Sequence, residues 1–211
     1  MLEHITWFKH AAFCWDRERR IYVDPWQLPE GLPGADAILI THPHDDHLSP
    51  WDIAKVRRAH TLVYGPQEVA AALDDVNVVA PGDAFEVLGY PVDTVPAYNL
   101  HPDRQHFHPK DKGWVGYVFA IDGVRYYHAG DTDHIPEMDV IDCDVAFLPI
   151  GGTYTMDGAE AAEAARAIDP RIVVPMHFGF LVGASTDGRA LARVLAPLRV
   201  HTFMPRIPFE R

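Results

Sequence analysis

The sequence predicts an α/β (α+β) fold in which two β-sheets pack at the centre and helices lie outside. Three observations predict it. The first forty residues are dominated by aromatic and β-branched side chains, the composition of strands. Short continuous apolar runs such as ADAILI (35–40) read as strands buried on both faces. In the second half, such runs alternate with stretches of helix-forming residues.

Taken in order, ITWFKHAAFCW (5–15) and RRIYVDPW (19–26) are strand segments joined by a charged turn. QLPEGLPG (27–34) holds two prolines and two glycines and interrupts them. ADAILI follows as a buried strand. SPWDIAKVRRAH (49–60) is a helix: Ser49 suits the N-cap, Pro50 the first position, and Asp52 the positive end of the helix dipole. TLVYG (61–65) is a strand and PQEVAAAL (66–73) a short helix. Residues 76–98 are a series of strands turning at PGD and LGYP. NLHPDRQHFHPKDKG (99–113) is polar and rich in His and Pro, a loop long enough to imply a function. WVGYVFAIDGVRYYHAGDTD (114–133) is a hairpin about Asp122-Gly123. CDVAFLPIGG (143–152) and RIVVPMHFG (171–179) are buried strands, DGAEAAEAARAI (157–168) and TDGRALARVLAP (186–197) helices, and VHTFMP (200–205) a closing strand.

The bulk numbers bound the function. With 211 residues, 48% of them hydrophobic, the chain suits one domain over 1–211 with a substantial core. A net charge of −12 with histidine neutral argues against nucleic acid and anionic membranes as partners. The densest basic run, RERR (17–20), reads as a solvated turn. The two cysteines, Cys14 and Cys143, have no metal spacing and no disulfide framework. The start lacks the layout of a signal peptide, and no apolar run is long enough to span a bilayer. Together these predict a cytoplasmic protein; oligomeric state is left open.

The chemistry concentrates in THPHDDHLSP (41–50), where four of six consecutive positions form H-x-H-x-D-H. In extended chain, residues two apart point to one side, so His42 and His44 can offer imidazoles to one ion. Asp46 and His47 follow as the chain turns and can face a second position. Imidazole and carboxylate suit Zn²⁺, Mn²⁺ or Fe. Partners must come from other strand ends: Asp131 in HAGDTD, placed to bridge two cations, and His177 in VVPMHFG. Asp24 ends an early strand and could accept a hydrogen bond from a ligand imidazole. Asp45 reads as a turn cap and His128 as structural, and Tyr98 or Tyr154 could line a pocket. GGTYTMD (151–157) lacks the lysine of a phosphate-binding loop. Neither a G-x-S-x-G serine nor a cysteine paired with a base supports covalent catalysis.

The motif H42-P-H44-D45-D46-H47, AGDT around Asp131, and PMHFG around His177 resemble, in order and spacing, the metallo-β-lactamase superfamily, in its metal-dependent hydrolase branch. The likeness extends over nearly the whole chain. It implies a four-layer αββα sandwich of two mixed β-sheets flanked by helices. It also implies that His42 and His44 hold a first ion, that Asp46, His47 and His177 hold a second, and that Asp131 stands between them. The family usually supplies a third histidine to the first ion from a PAxH-like loop. Here VPAYN puts Asn99 in that place. Three alternatives follow: Asn99 ligates weakly, a neighbouring loop histidine (His101, His106 or, best placed, His108) reaches in, or the first site is partly empty. The cofactor is then one or two divalent ions, zinc first, with manganese or iron as alternatives.

The resemblance implies a hydrolase in which metal-activated water attacks a small ester-type substrate, a phosphodiester or a lactone, with Asp46 orienting the water and taking its proton. The alternative is a non-catalytic metal-binding or sensing module on the same fold. A di-iron redox protein is disfavoured, because His44 stands where that branch carries Glu.

Overall fold

The computed structural model describes residues 1–209. Six strands form a first sheet in chain order: β1 (Ile5–Lys9), β2 (Ala12–Asp16), β3 (Arg20–Val23), β4 (Ala37–Leu39), β5 (Leu62–Gly65) and β6 (Val76–Val78). The first three pair antiparallel and the rest parallel. The second sheet holds β7 (Ala84–Val87), β8 (Tyr90–Pro96), β9 (Val115–Ile121), β10 (Val124–His128), β11 (Val145–Pro149), β12 (Ile172–Met176) and β13 (Arg199–Val200). It too is mixed, antiparallel from β7 to β10 and parallel from β10 to β13. Helices α1 (Pro50–Val56) and α2 (Gln67–Ala70) accompany the first sheet, and α3 (Gly158–Ile168) and α4 (Asp187–Leu195) the second.

Period-two alternation explains the layering. Phe13, Trp15, Ile21, Val23, Ala37 and Leu39 turn toward the other sheet. Their neighbours Cys14, Tyr22 and Ile38 turn outward and pack with Ile53, Val56 and Val69 of the helices. That double burial is why residues 37–40 of ADAILI read as continuously apolar. Between the sheets, Trp15 meets Phe119 and Phe147 edge-on at 4.9 and 5.1 Å, and Phe13 meets Phe147 at 4.9 Å. Each such fully buried aromatic contributes roughly 1.5–3 kcal/mol relative to exposure.

Local signals set the boundaries. The Ser49 hydroxyl accepts the Asp52 N–H and Pro50 opens α1. Asp157 and Glu160 close a capping box on α3. Asp122 and Gly123 both take positive φ, the geometry of a tight hairpin turn. Three expectations change. ITWFKHAAFCW is not one strand: it turns at His10–Ala11, and β1 and β2 pair antiparallel. The helix predicted through residue 60 stops at Val56, where Arg57 is extended and the Arg58 N–H turns to the Thr61 hydroxyl. VHTFMP is not a strand: β13 ends at Val200, because the chain leaves the sheet edge and crosses to the first sheet, where Arg206 N–H donates to Trp7 O. Among the described residues, no helix is long and apolar enough to cross a membrane.

Candidate metal centre

The carboxyl ends of β3, β4, β10 and β12 come together at one edge of the sandwich, the usual place for sites in sheets with parallel strands. Asp24 follows β3, Thr41 to His47 follow β4, Asp131 follows β10, and His177 follows β12. The sheets are tied there by Tyr117, whose hydroxyl donates to Ile40 O at 2.8 Å. Gly130 takes a φ of +64°, and a β-carbon on it would lie 2.9 Å from that of Thr41. The glycine of AGDT is thus required to bring Asp131 against the histidine motif.

Two groups of donors face Asp131. His42, His44 and His108 form one; His10, Asp46, His47 and His177 form the other, each with ligand atoms within 4.8 Å of one another. The Asp131 carboxylate reaches into both: Oδ2 lies 3.4 Å from His108 Nε2 and 2.9 Å from His177 Nε2, and Oδ1 lies 3.3 Å from His47 Nε2. Asp46 Oδ2 lies 3.1 Å from His10 Nε2 and 3.7 Å from His177 Nε2.

The histidine motif, Asp131 and His177 are therefore brought together, and His108 joins them. Asn99 is not among the grouped donors. Its Oδ1 accepts from His108 Nδ1 at 2.7 Å and its Nδ2 donates to Asp133 Oδ1 at 2.9 Å, so both ends of the amide are engaged. The reason is the loop's path: Asn99 N–H donates to His108 O, folding the chain back so that His108 stands where Asn99 would have reached. Asp133 anchors this loop, accepting from the N–H groups of Leu100 and His101 and from Arg104 Nε at 2.6 Å. His101 is exposed and tied to Asp103, away from the cluster.

Asp24 is buried beneath His47. Its Oδ2 takes the His47 Nδ1 proton at 2.7 Å and the Thr41 hydroxyl at 2.7 Å, and its Oδ1 takes the Thr41 N–H. With its proton given to Asp24, the Thr41 hydroxyl accepts from His42 Nδ1 at 2.9 Å. Both imidazoles then carry their proton behind and turn Nε2 toward the site. His128 is structural, with Nε2 on Ala11 O at 3.0 Å. Tyr154 lines the pocket over the donors. Tyr98 instead directs its hydroxyl to Glu137 and Lys110.

Sequence reasoning missed His10, Thr41 and Trp114. His10 sits at the β1–β2 turn with a φ of +54°, and Trp114 packs its ring about 5 Å from those of His42 and His44. His10 lies inside the run 5–15 that the sequence presents as a strand, so no local signal marks it.

The electrostatics fit a cation. Burial pushes His42 well below the usual imidazole range, and the charge of His47 adds to this. Burial, then the charge of His177, pushes His10 down to about 3. Burial alone would raise Asp131, but the charges of His177 and His47 hold it well below the carboxylate range. Burial would likewise lower His47 and His177, yet the charge of Asp131 raises both. Asp131 thus draws protons onto two buried imidazoles, a place a divalent ion would take by displacing them. His10 Nε2, His47 Nε2, His108 Nε2, His177 Nε2 and Asp131 Oδ1 are buried without a hydrogen-bond partner. These atoms have charged neighbours but no aligned hydrogen bond, and the convergence of such ligand atoms fits a metal.

Comparison with known proteins agrees. The model of the β-lactamase superfamily domain matches residues 4–177. A UPF0173 metal-dependent hydrolase of Thermococcus onnurineus is 36% identical over 193 residues, spanning 82% of this chain and 84% of its own. Another, of Methanoculleus marisnigri, is 39% identical over 187 residues, spanning 82% and 80%. A solved structure from Parabacteroides distasonis superposes with a TM-score of 0.88 at 35% identity, over 96% of this chain and 92% of its own. Igni18, a metallo hydrolase of Ignicoccus hospitalis, gives 0.76 at 27% identity, over 98% and 95%.

Proposed function

The chain belongs to the β-lactamase superfamily and, within it, to the UPF0173 metal-dependent hydrolases, and from that premise we propose that it hydrolyses a small ester-type substrate, of the lactone or phosphodiester class. His42, His44 and His108 would hold one divalent ion, and Asp46, His47 and His177 a second, with Asp131 between them. The imidazole-rich set suits zinc first, with manganese and iron as alternatives. The observation that carries this reading is the convergence of unpartnered, buried Nε2 atoms on the Asp131 carboxylate.

When bound, such ions lower the pKa of a water toward ~7 and polarise the substrate's carbonyl or phosphoryl oxygen. The chain's own groups do the rest. Asp46, partly exposed to the pocket, orients the attacking water and takes its proton. Burial would raise the Asp46 carboxyl, but His47 and His10 beside it hold it down, so it is ionised. Asp24 and Thr41 keep His47 and His42 in their working tautomers. Trp114 packs against the imidazoles of the first group and excludes water from behind it.

The test is the metal content of the purified protein, followed by turnover of lactone and phosphodiester substrates with the metal stripped and then restored. Metal-dependent hydrolysis of either class is expected. Tight metal binding with no turnover of either would favour a sensing module instead.

A further inference from the structure

We propose that the substrate is an uncharged carboxylic ester or lactone bearing an apolar acyl chain, and not a phosphodiester. This rests on the hydrolase reading and names its substrate class.

A cavity of about 300 Å³ opens over the donors, and four separate segments each send one apolar side chain to its walls. Trp26 comes from the turn after Asp24, Phe107 from the loop that carries His108, Tyr154 from the glycine-rich turn after β11, and Leu181 from the loop after His177. Phe107 and Tyr154 meet edge-on at 4.7 Å, so two loops from different parts of the chain close into one wall. Leu181 leaves 57% of its surface in water. An aliphatic side chain so exposed at the mouth of a pocket is suited to covering an apolar ligand.

The charges around the cavity point the same way. Asp45, Asp46 and Asp131 line it, and among the described residues no lysine or arginine does. A phosphodiester is anionic before reaction and gains charge afterwards. Its ester groups would have to lie along these apolar walls, and beyond the ions that Asp46 and Asp131 would hold there is no cationic side chain among the lining residues to clamp its remaining oxygens. A carboxylic ester enters neutral, and its chain is what the walls fit.

The reaction balances as a plain hydrolysis. The water oxygen bonds to the carbonyl carbon, and the bond from that carbon to the alkoxy oxygen breaks, leaving its electron pair on oxygen. One water proton passes through Asp46 to the departing alkoxide, and the other is released as the acid ionises.

The experiment uses the metal-reconstituted full chain. Initial rates are measured on aryl esters and γ-lactones with acyl chains from two to eight carbons, and on bis(p-nitrophenyl) phosphate. We expect kcat/KM to rise roughly fourfold per methylene until the cavity fills, with the phosphodiester far behind. Phe107→Ala should flatten that slope, and so should Leu181→Ser, an exposed position where loss of fold is not at issue. A flat slope in the unaltered chain, or a preference for the phosphodiester, would overturn the proposal. If neither class is turned over, the hydrolase reading fails separately, and calorimetric binding of butyrate, octanoate and diphenyl phosphate decides the pocket. Chain-length-dependent binding of the acids that is lost in Phe107→Ala upholds the apolar site, and binding indifferent to chain length refutes it.

Discussion

The carbonyl of His10 accepts the N–H of His177 at 3.1 Å, and the two imidazoles stand 3.6 Å apart. Both residues hold a left-handed backbone, with φ of +54° and +57°. One lies at a hairpin tip in the first sheet and the other past the end of β12 in the second. This contact therefore joins the two halves of the sandwich at the donor cluster, as the Tyr117 to Ile40 bond does beside it. A left-handed conformation in a residue with a β-carbon costs free energy and persists only where surrounding structure enforces it. Here the enforcement comes from the Trp7 indole, which donates to the same His10 carbonyl at 2.9 Å, and from the packing of the two rings.

His10→Asn tests what the imidazole does. Asparagine tolerates the left-handed backbone, so the carbonyl contact to His177 survives while the ring beside Asp46 is lost. The second ion is expected to bind about tenfold or more weakly, with the fold retained. Equilibrium dialysis with metal quantitation, alongside circular dichroism, reads both. Unchanged affinity would reduce His10 to a packing residue.

Asp24→Asn places an amide where two oxygens now accept three donors, from Thr41 N–H, the Thr41 hydroxyl and His47 Nδ1. At least one buried donor then faces another. The expected cost is about 1–3 kcal/mol of stability, and metal affinity should fall roughly ten- to a hundredfold because His47 loses its fixed tautomer. Denaturant unfolding of the metal-free protein separates the first effect from the second. A variant as stable and as tight as the parent would show that Asp24 orients nothing.

These residues also mark what the sequence could disclose. His42, His44, Asp46 and His47 are legible because their geometry is local: an extended chain followed by a turn presents them whatever the rest of the fold does. Asp131 and His177 are legible at one remove, each standing where an apolar run ends, and such ends gather at one edge of a sheet. The two-sided burial of β3 and β4 shows in their unbroken apolar residues. His10 carries no such mark. It becomes a site residue only when the sheets close and bring a hairpin tip onto His177, an event between residues 167 positions apart. Asn99 is the opposite case: its place beside the site is readable, but its role is not, because the loop's own backbone hydrogen bond decides that His108 and not Asn99 faces Asp131.

Removing metal should weaken the whole molecule, since the ion binds donors that only the folded chain assembles. With free ion at about a thousand times its Kd, the loss on chelation is about 4 kcal/mol. Chelator should lower the thermal midpoint, and stoichiometric zinc or manganese should restore it. A midpoint indifferent to chelator in protein shown to have lost its metal would contradict the cage.

Asn99 and His108 allow a sharper test, because Asn99 touches the His108 ring and is not itself among the grouped donors. His108→Ala removes a donor outright, and metal affinity at the first group should fall the most. Asn99→Ala leaves the imidazole in place but frees its Nδ1 from the 2.7 Å contact that orients it, so affinity should fall about tenfold or more. The decisive measurement is the double variant. If Asn99 serves only to hold His108, then removing it from the His108→Ala protein costs almost no further affinity, and the two losses are far from additive. If Asn99 binds the ion itself, its loss costs the same in either background. The Asn99 Nδ2 contact to Asp133 contributes to both single variants through the loop, so each is compared by metal affinity at matched folded fraction. Additive losses under that condition would return Asn99 to the role of ligand and leave His108 as its neighbour only.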